Sequence, residues 1–258
     1  MGDDGLPPAL YEANVTANSV PIPILVYHQI SDAPKKGAPF RGLYVSIAAF
    51  SRQMAFLKML GYTGLSMTDL LPYLRGEKSG KVVGITFDDG YLNNLINALP
   101  ALQKHGFTST CYVVVGLLGK TNEWDEGIGI AQTPLMTAEQ LLQWQAGGQE
   151  VGAHTQDHVD LLTVNEITAW KQIAKSKTTL QTLLGKPVNH FCYPYGKFDE
   201  RHSTMVKQAT YETATTTVRG CVHSATNLLT LQRVPVLRST SLPVFWLKVA
   251  TQYEDGKV

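Results

Sequence analysis

Val82-Val83-Gly84-Ile85-Thr86-Phe87-Asp88-Asp89-Gly90 is an apolar run that stops at two adjacent carboxylates and a glycine. A short apolar stretch bounded by turn residues predicts a strand buried on both faces. Packing gives no reason for Asp-Asp at the tip of such a strand. Either the acids start a turn or cap a helix beginning near Asn93, or they mark a site.

Around this stretch, strands alternate with helices. Further strands are predicted over 24–28, 63–65, 110–115, 150–154, 191–193, 212–217 and 231–236. Ser46 caps a helix carrying Ile47, Phe50, Met54 and Leu57 at helical spacing, and Gly61 stops it. Thr137-Ala138-Glu139-Gln140 has the form of a capping box, and a long amphipathic helix is predicted over 165–184. Helices are also predicted over 67–75, 93–105, 201–209 and 242–253. This order implies a mostly parallel sheet. About eight strands suit a closed or nearly closed α/β barrel, with its chemistry at the C-terminal strand ends. A doubly wound open sheet is the alternative, but no glycine-rich phosphate loop follows the first strand.

Composition narrows the partners. The chain has 258 residues, 44% of them hydrophobic, enough to bury a large core. Its net charge of +1 and scattered basic residues argue against nucleic acid. Cys111, Cys192 and Cys221 stand alone, without a disulfide framework or a Cys-x-x-Cys pair. No apolar run approaches the ~18 residues of a membrane-spanning helix. Residues 1–20 are polar and aperiodic and read as an arm ahead of a single domain over 21–258. Met1-Gly2-Asp3-Asp4 begins no apolar signal segment, so a cytoplasmic location is the default, and a cut-back exported or anchored protein is the alternative.

Two further segments bear on chemistry. In Glu150-Val151-Gly152-Ala153-His154-Thr155-Gln156-Asp157-His158, a strand leads into a loop that can bring His158 back beside His154. Two imidazoles and one carboxylate make an open metal site, with Asp89 the natural third ligand and Asp88 a free base beside it. Asn189-His190-Phe191-Cys192-Tyr193-Pro194-Tyr195-Gly196 ends in a turn that can aim a backbone N–H into that site or simply pack aromatics. His28 ends the first strand, where a satisfied core histidine is the default reading. The loop over 116–136 carries Trp124 and Asp125, and a loop of this length is usually functional or disordered. Trp124 suits either stacking on a sugar ring or filling a gap in the core.

Thr-Phe-Asp-Asp-Gly, the downstream His-Thr-x-x-His, the Tyr-Pro-Tyr-Gly turn and the Ile-Leu-Val-Tyr-His first strand together resemble the polysaccharide deacetylase family (carbohydrate esterase family 4). The likeness spans roughly Pro23 to Val236. It implies a distorted (β/α)7 barrel and metal-dependent hydrolysis of an acetyl group on a glycan, most often the N-acetyl of an N-acetylhexosamine. By position, Asp89, His154 and His158 would hold the metal, zinc or another divalent transition metal. Asp88 would be the base, and the Tyr195 N–H would stabilise the oxyanion. Trp124, Asp125, Pro194 and Arg233 are candidates for substrate contact.

Two family positions differ. Cys192 stands where an Arg often orients the base, and Leu231-Gln232-Arg233 replaces a Leu-x-His whose histidine protonates the leaving amine. His28 is the leading substitute acid, Asp88 itself another, and His223 a weaker one. Arg233 either orients Asp88 or is a surface or structural residue. These departures also leave open a non-catalytic carbohydrate-binding descendant, or an amidase for a small non-sugar amide.

Overall fold

The computed structural model describes residues 20–257. The arm expected over 1–20 therefore lies, apart from Val20, outside the described residues. Among the described residues ten strands form in chain order: β1 (Ile24–Tyr27), β2 (Gln29–Ile30), β3 (Tyr44–Val45), β4 (Thr63–Leu65), β5 (Val82–Phe87), β6 (Thr110–Val113), β7 (Glu150–Ala153), β8 (His190–Cys192), β9 (Thr213–Arg219) and β10 (Leu231–Pro235). The α-helices are α1 (Ile47–Met59), α2 (Met67–Leu74), α3 (Leu99–His105), α4 (Ala138–Ala146), α5 (Glu166–Leu184), α6 (Glu200–Gln208) and α7 (Leu242–Ala250).

Seven parallel strands close the barrel in the order β1, β5, β6, β7, β8, β9, β10 and back to β1. Closure comes from Leu25 pairing with Ile85 on one side and with Val234 on the other. Strand β4 is the eighth, and it explains the distortion. It pairs with the first half of β5, Thr63 to Leu65 against Val82 to Gly84, while β6 joins β5 only at Thr86 and Phe87. The Thr108 N–H then bonds to the Gly64 carbonyl, so β4 is wedged between β5 and β6 at their N-terminal ends.

Side-chain alternation sorts the strands into two layers. Val83, Ile85 and Phe87 of β5, Cys111 and Val113 of β6, and Phe191 of β8 pack in the main core with helical residues such as Phe50, Leu102 and Trp144. The other phase points to the barrel axis: Ile24, Thr86, Tyr112, Cys192 and Arg233. At the N-terminal end, α2 lays Met67, Leu70 and Leu74 against Ile24 and Val82. A Cβ on Gly152 would stand 2.5 Å from the Tyr112 ring, so glycine there makes room for the large axial tyrosine.

The helix expected over 93–105 is real but begins as a π-helical turn, Asn94–Ala98, before α3. Neither Asp88 nor Asp89 caps it. Ser46, Thr137 and Gly185 act at the helix ends as expected. The last helix stops at Ala250 rather than running to 253.

Candidate active site

At the end of β5 the two carboxylates part. Asp88 continues the axial phase after Thr86, and its oxygens meet the Arg233 guanidinium in a bidentate pair, Nη1 to Oδ1 and Nη2 to Oδ2, both 2.7 Å. Arg233 is 1% exposed, so the surface alternative for this residue is excluded. Its Nε donates to the Thr216 carbonyl at 2.8 Å and Nη1 also reaches Thr86 Oγ1 at 3.2 Å. The Tyr112 ring centroid lies 6.0 Å from the guanidinium carbon. Burial would raise the Asp88 pKa, but the charge and hydrogen bonds of Arg233 outweigh it and hold the carboxyl below its ordinary value. The same pairing makes the guanidinium harder to deprotonate.

Asp89 takes a left-handed backbone, φ 75°, and turns to the opposite group. Its Oδ1 lies 3.5 Å from His154 Nε2 and 3.4 Å from His158 Nε2. Burial opposes its charge, yet both histidines hold its pKa well below the ordinary value. The His154 Nδ1–H donates to the Cys192 carbonyl at 2.7 Å, and His158 Nδ1 lies 3.1 Å from the Tyr195 hydroxyl. With Nδ1 engaged, each Nε2 is aimed at Asp89. At His158 burial lowers the pKa despite Asp89, favouring the neutral form that can ligate a metal. Thr155 fixes the turn between them: its hydroxyl donates to the His154 carbonyl and accepts the His158 N–H. From α5, Gln172 Oε1 accepts the Gln156 and Asp157 N–H groups.

The Tyr-Pro-Tyr-Gly turn places Tyr195 at φ 58°, with Gly196 at φ 68°. A Cβ on Gly196 would come 2.0 Å from Thr217 Oγ1, so only glycine lets the turn lie against β9. The Gly196 and Lys197 N–H groups bond back to Tyr193 and Pro194. The Tyr195 N–H begins the turn, where helical geometry supplies no internal acceptor. Pro194 is buried and fixes this turn rather than facing the cleft.

Trp124 lies over His158, ring centroids 4.3 Å apart and planes 31° apart, with its other side on Tyr91, Val114, Leu117 and Leu135. It therefore walls the histidine and also fills space. The expected long loop is folded back on itself by a bridge from Thr121 to Pro134 and tied to the chain after β5 by one from Leu135 to Tyr91. Buried Asn122 inside it holds Asp125.

His28 is half-buried, lines the cleft and has no hydrogen bond to its ring among the described residues. The satisfied-core expectation fails because the peptide, not the imidazole, is anchored. Asn94 donates to the His28 carbonyl at 2.9 Å, Asn93 accepts the Ile30 N–H at 3.1 Å, and Asn97 donates to the Ile30 carbonyl at 2.8 Å. Three asparagine side chains, from the π-turn and the residue before it, thus clamp the strand end while the ring stays available. His223 is paired with Asp255 at 2.9 Å and is not among the cleft residues.

One cleft of about 320 Å³ gathers His28, Asp88, Asp89, Trp124, Asp125, His154, His158, Tyr195 and Arg233. Phe40, Tyr44, Tyr91 and Leu237 are among its other walls, and sequence reasoning did not single them out. Only Tyr91 carried a signal, by standing directly after Asp-Asp-Gly. Of six non-glycine residues with positive φ among the described residues, five (Phe40, Asp89, Thr155, His158 and Tyr195) line or shape this cleft, the pattern expected where backbone strain is held for function.

Comparison with known proteins agrees with this geometry. The polysaccharide deacetylase family model matches residues 75–214, more than half of the chain. The chain is 27% identical over 223 residues to YxkH of Bacillus subtilis (strain 168), a protein named as a polysaccharide deacetylase, covering 86% of this chain and 73% of that one. Among solved structures, the Streptococcus pyogenes deacetylase PplD, in complex with acetate, superposes with a TM-score of 0.79 at 26% identity, covering 90% of this chain and 99% of PplD. The Bacillus cereus polysaccharide deacetylase BC0361 gives a TM-score of 0.75 at 29% identity, covering 89% of this chain and 69% of that one. A parallel seven-stranded barrel, an Asp-Asp strand end facing His-Thr-x-x-His, and these matches make the chain a member of the polysaccharide deacetylase family.

Proposed function

We propose that this deacetylase removes the N-acetyl group of an N-acetylhexosamine-containing glycan, with a divalent metal held by Asp89, His154 and His158. The observation that carries the reading is the convergence of two oriented Nε2 atoms on one buried carboxylate oxygen, beside a second carboxylate paired elsewhere. The donor set fits a metal: two nitrogens and one oxygen lie within 4.8 Å of one another, and each imidazole has its other nitrogen engaged, as metal-ligating histidines do. Such a set suits zinc or a similar divalent transition metal. When bound, the ion supplies Lewis acidity, which makes a water acidic near neutral pH and polarises the acetyl carbonyl.

The protein groups supply the rest. Asp88 accepts the proton of the attacking water. Arg233 keeps that carboxylate ionised and in one orientation, at the cost of basicity, so this base suits only a water made unusually acidic. The Tyr195 N–H donates to the developing oxyanion, a role typically worth about 3–4 kcal/mol. His28, its ring available on the cleft wall, gives a proton to the departing amine. The products are acetate and the free amine. Acetate bound to PplD is the product expected of this chemistry.

The non-catalytic alternative rested on the missing Arg and His. Its first support is weakened, since a guanidinium reaches the base from β10. The test is acetate release from N-acetylglucosamine oligomers, with metal analysis of the same protein. About one metal per chain and acetate release that chelation abolishes are expected; a metal-free protein with full activity would overturn the metal role. A His28→Ala protein with undiminished kcat would remove His28 as the acid.

A further inference from the structure

The charges lining the cleft do not balance in one place. Its basic side chains are His28, His154, His158 and Arg233, and Asp88 occupies both arms of the Arg233 guanidinium. Of its three carboxylates, Asp88 is matched by Arg233, and Asp89 lies between two histidines. Asp125 makes no ion pair among the described residues, and His28 and His158 act on it only through space. Its Oδ2 accepts the Asn122 side-chain N–H at 2.8 Å, and no protein donor among them reaches Oδ1.

This carboxylate is built in rather than loosely attached. Asn122 is fully buried and also accepts the Thr133 N–H at 2.6 Å and donates to the Ala131 carbonyl at 3.3 Å. Trp124, next in the chain, is pinned on His158. Burial raises the Asp125 pKa and Asp89 adds to that rise, outweighing the Asn122 bond and the charges of His158 and His28.

We propose that Asp125 sets the charge class of the glycan, receiving an ammonium or hydroxyl donor from the sugar chain and turning away acidic chains. This rests on the deacetylase reading and extends it. In that reaction water adds across the amide: the acyl carbon takes the oxygen and leaves as acetate, and the nitrogen takes the proton as an amine. A partly processed chain therefore carries the cationic donor that Asp125 lacks, so amine-bearing stretches bind better than untouched ones.

Binding can be measured on the intact protein without turnover, using three tetrasaccharides that carry no acetyl group: neutral glucose units, glucosamine units and uronic acid units. The expected order of affinity is amine, then neutral, then acid, each step about fivefold, the size of one half-exposed charge contact. At about 1 M salt, where screening acts within about 3 Å, the order collapses for the wild-type protein. Asp125→Asn, which retains an oxygen for Asn122, and Asp125→Ser both lose the amine preference while melting at the wild-type temperature. Equal affinity for the three tetrasaccharides, or an unchanged order in both variants, overturns the proposal. The deacetylase reading is judged separately, by acetate release from the acetylated oligomers: the binding order holding without acetate release would sink that reading alone.

Discussion

A histidine–carboxylate cluster sits at each end of the barrel, and the two clusters are built differently. At the N-terminal end, Glu150 opens β7 and His190 opens β8. His190 Nε2 lies 2.9 Å from Thr68 Oγ1 and Nδ1 lies 2.8 Å from Thr213 Oγ1, while Thr68 and Thr110 donate to the two Glu150 oxygens. Every polar atom of that cluster is answered within the protein. At the C-terminal end, His154 and His158 have one nitrogen engaged and the other aimed at Asp89, His28 has neither engaged, and the backbone is left-handed at three of the key residues. Burial of a histidine beside an acid is common to both. What separates a site from a plug is the hydrogen-bonding capacity left pointing into a cleft.

That contrast can be broken by substitution. The largest effect is expected for Asp88→Asn, with acetate release falling about 10²–10⁴-fold, the usual scale of a lost base, while metal content stays near one per chain. A rate within twofold of wild type would remove Asp88 from the chemistry. Arg233→Met strands a buried carboxylate and should cost about 3–5 kcal/mol of stability by denaturant unfolding, together with most of the activity. Tyr195→Phe removes the hydroxyl beside His158 Nδ1 and should weaken metal affinity by about 10–100-fold, read by chelator competition. At the closed end, His190→Ala should cost about 1–3 kcal/mol by leaving buried hydroxyls unanswered, with kcat unchanged; a large fall in kcat would mean that the two ends are coupled.

Acidity separates the clusters again. Burial lowers the His190 pKa against the pull of Glu150, so between the two pKa values the unfolded chain binds the extra proton. Stability from a neutral His190 is therefore complete above the ordinary histidine value of 6.5 and is lost as pH falls below it. The Asp88 carboxyl is lowered by Arg233, so the stability it contributes is complete above 3.8 and is lost as pH falls through its folded value, lower still. Unfolding measured at pH 7.5 and 5.5 should show a loss that His190→Ala diminishes and Arg233→Met does not.

Much of the site was legible because its signals are local. The β5 run, the acids at its tip and the His-Thr-x-x-His turn each lie within nine residues, and strand alternation fixes which way they point. The Arg233–Asp88 pair is legible only as one of two alternatives, because 145 residues separate its members and a lone arginine in a β-strand has no period to betray its partner. The sequence pattern over 94–98 reads as ordinary helix, since the asparagines that clamp the chain at His28 and Ile30 carry no distinctive spacing. The wedge of β4 was legible as a strand but not as a wedge, because its place depends on how far β6 extends.

Cys192 and Arg233 meet on the barrel axis, the thiol sulfur 3.3 Å from Nη2. The family's usual guanidinium would enter from β8 at Cys192, yet one entering from β10 arrives at the same carboxylate. A barrel interior is common ground to its strands, so a head group can be inherited by a different strand without moving in space. Gain and loss of such a residue can then be balanced across distant parts of a gene. Motif inspection that checks each strand in isolation will count a vacancy here, where inspection of the shared axis finds the position filled.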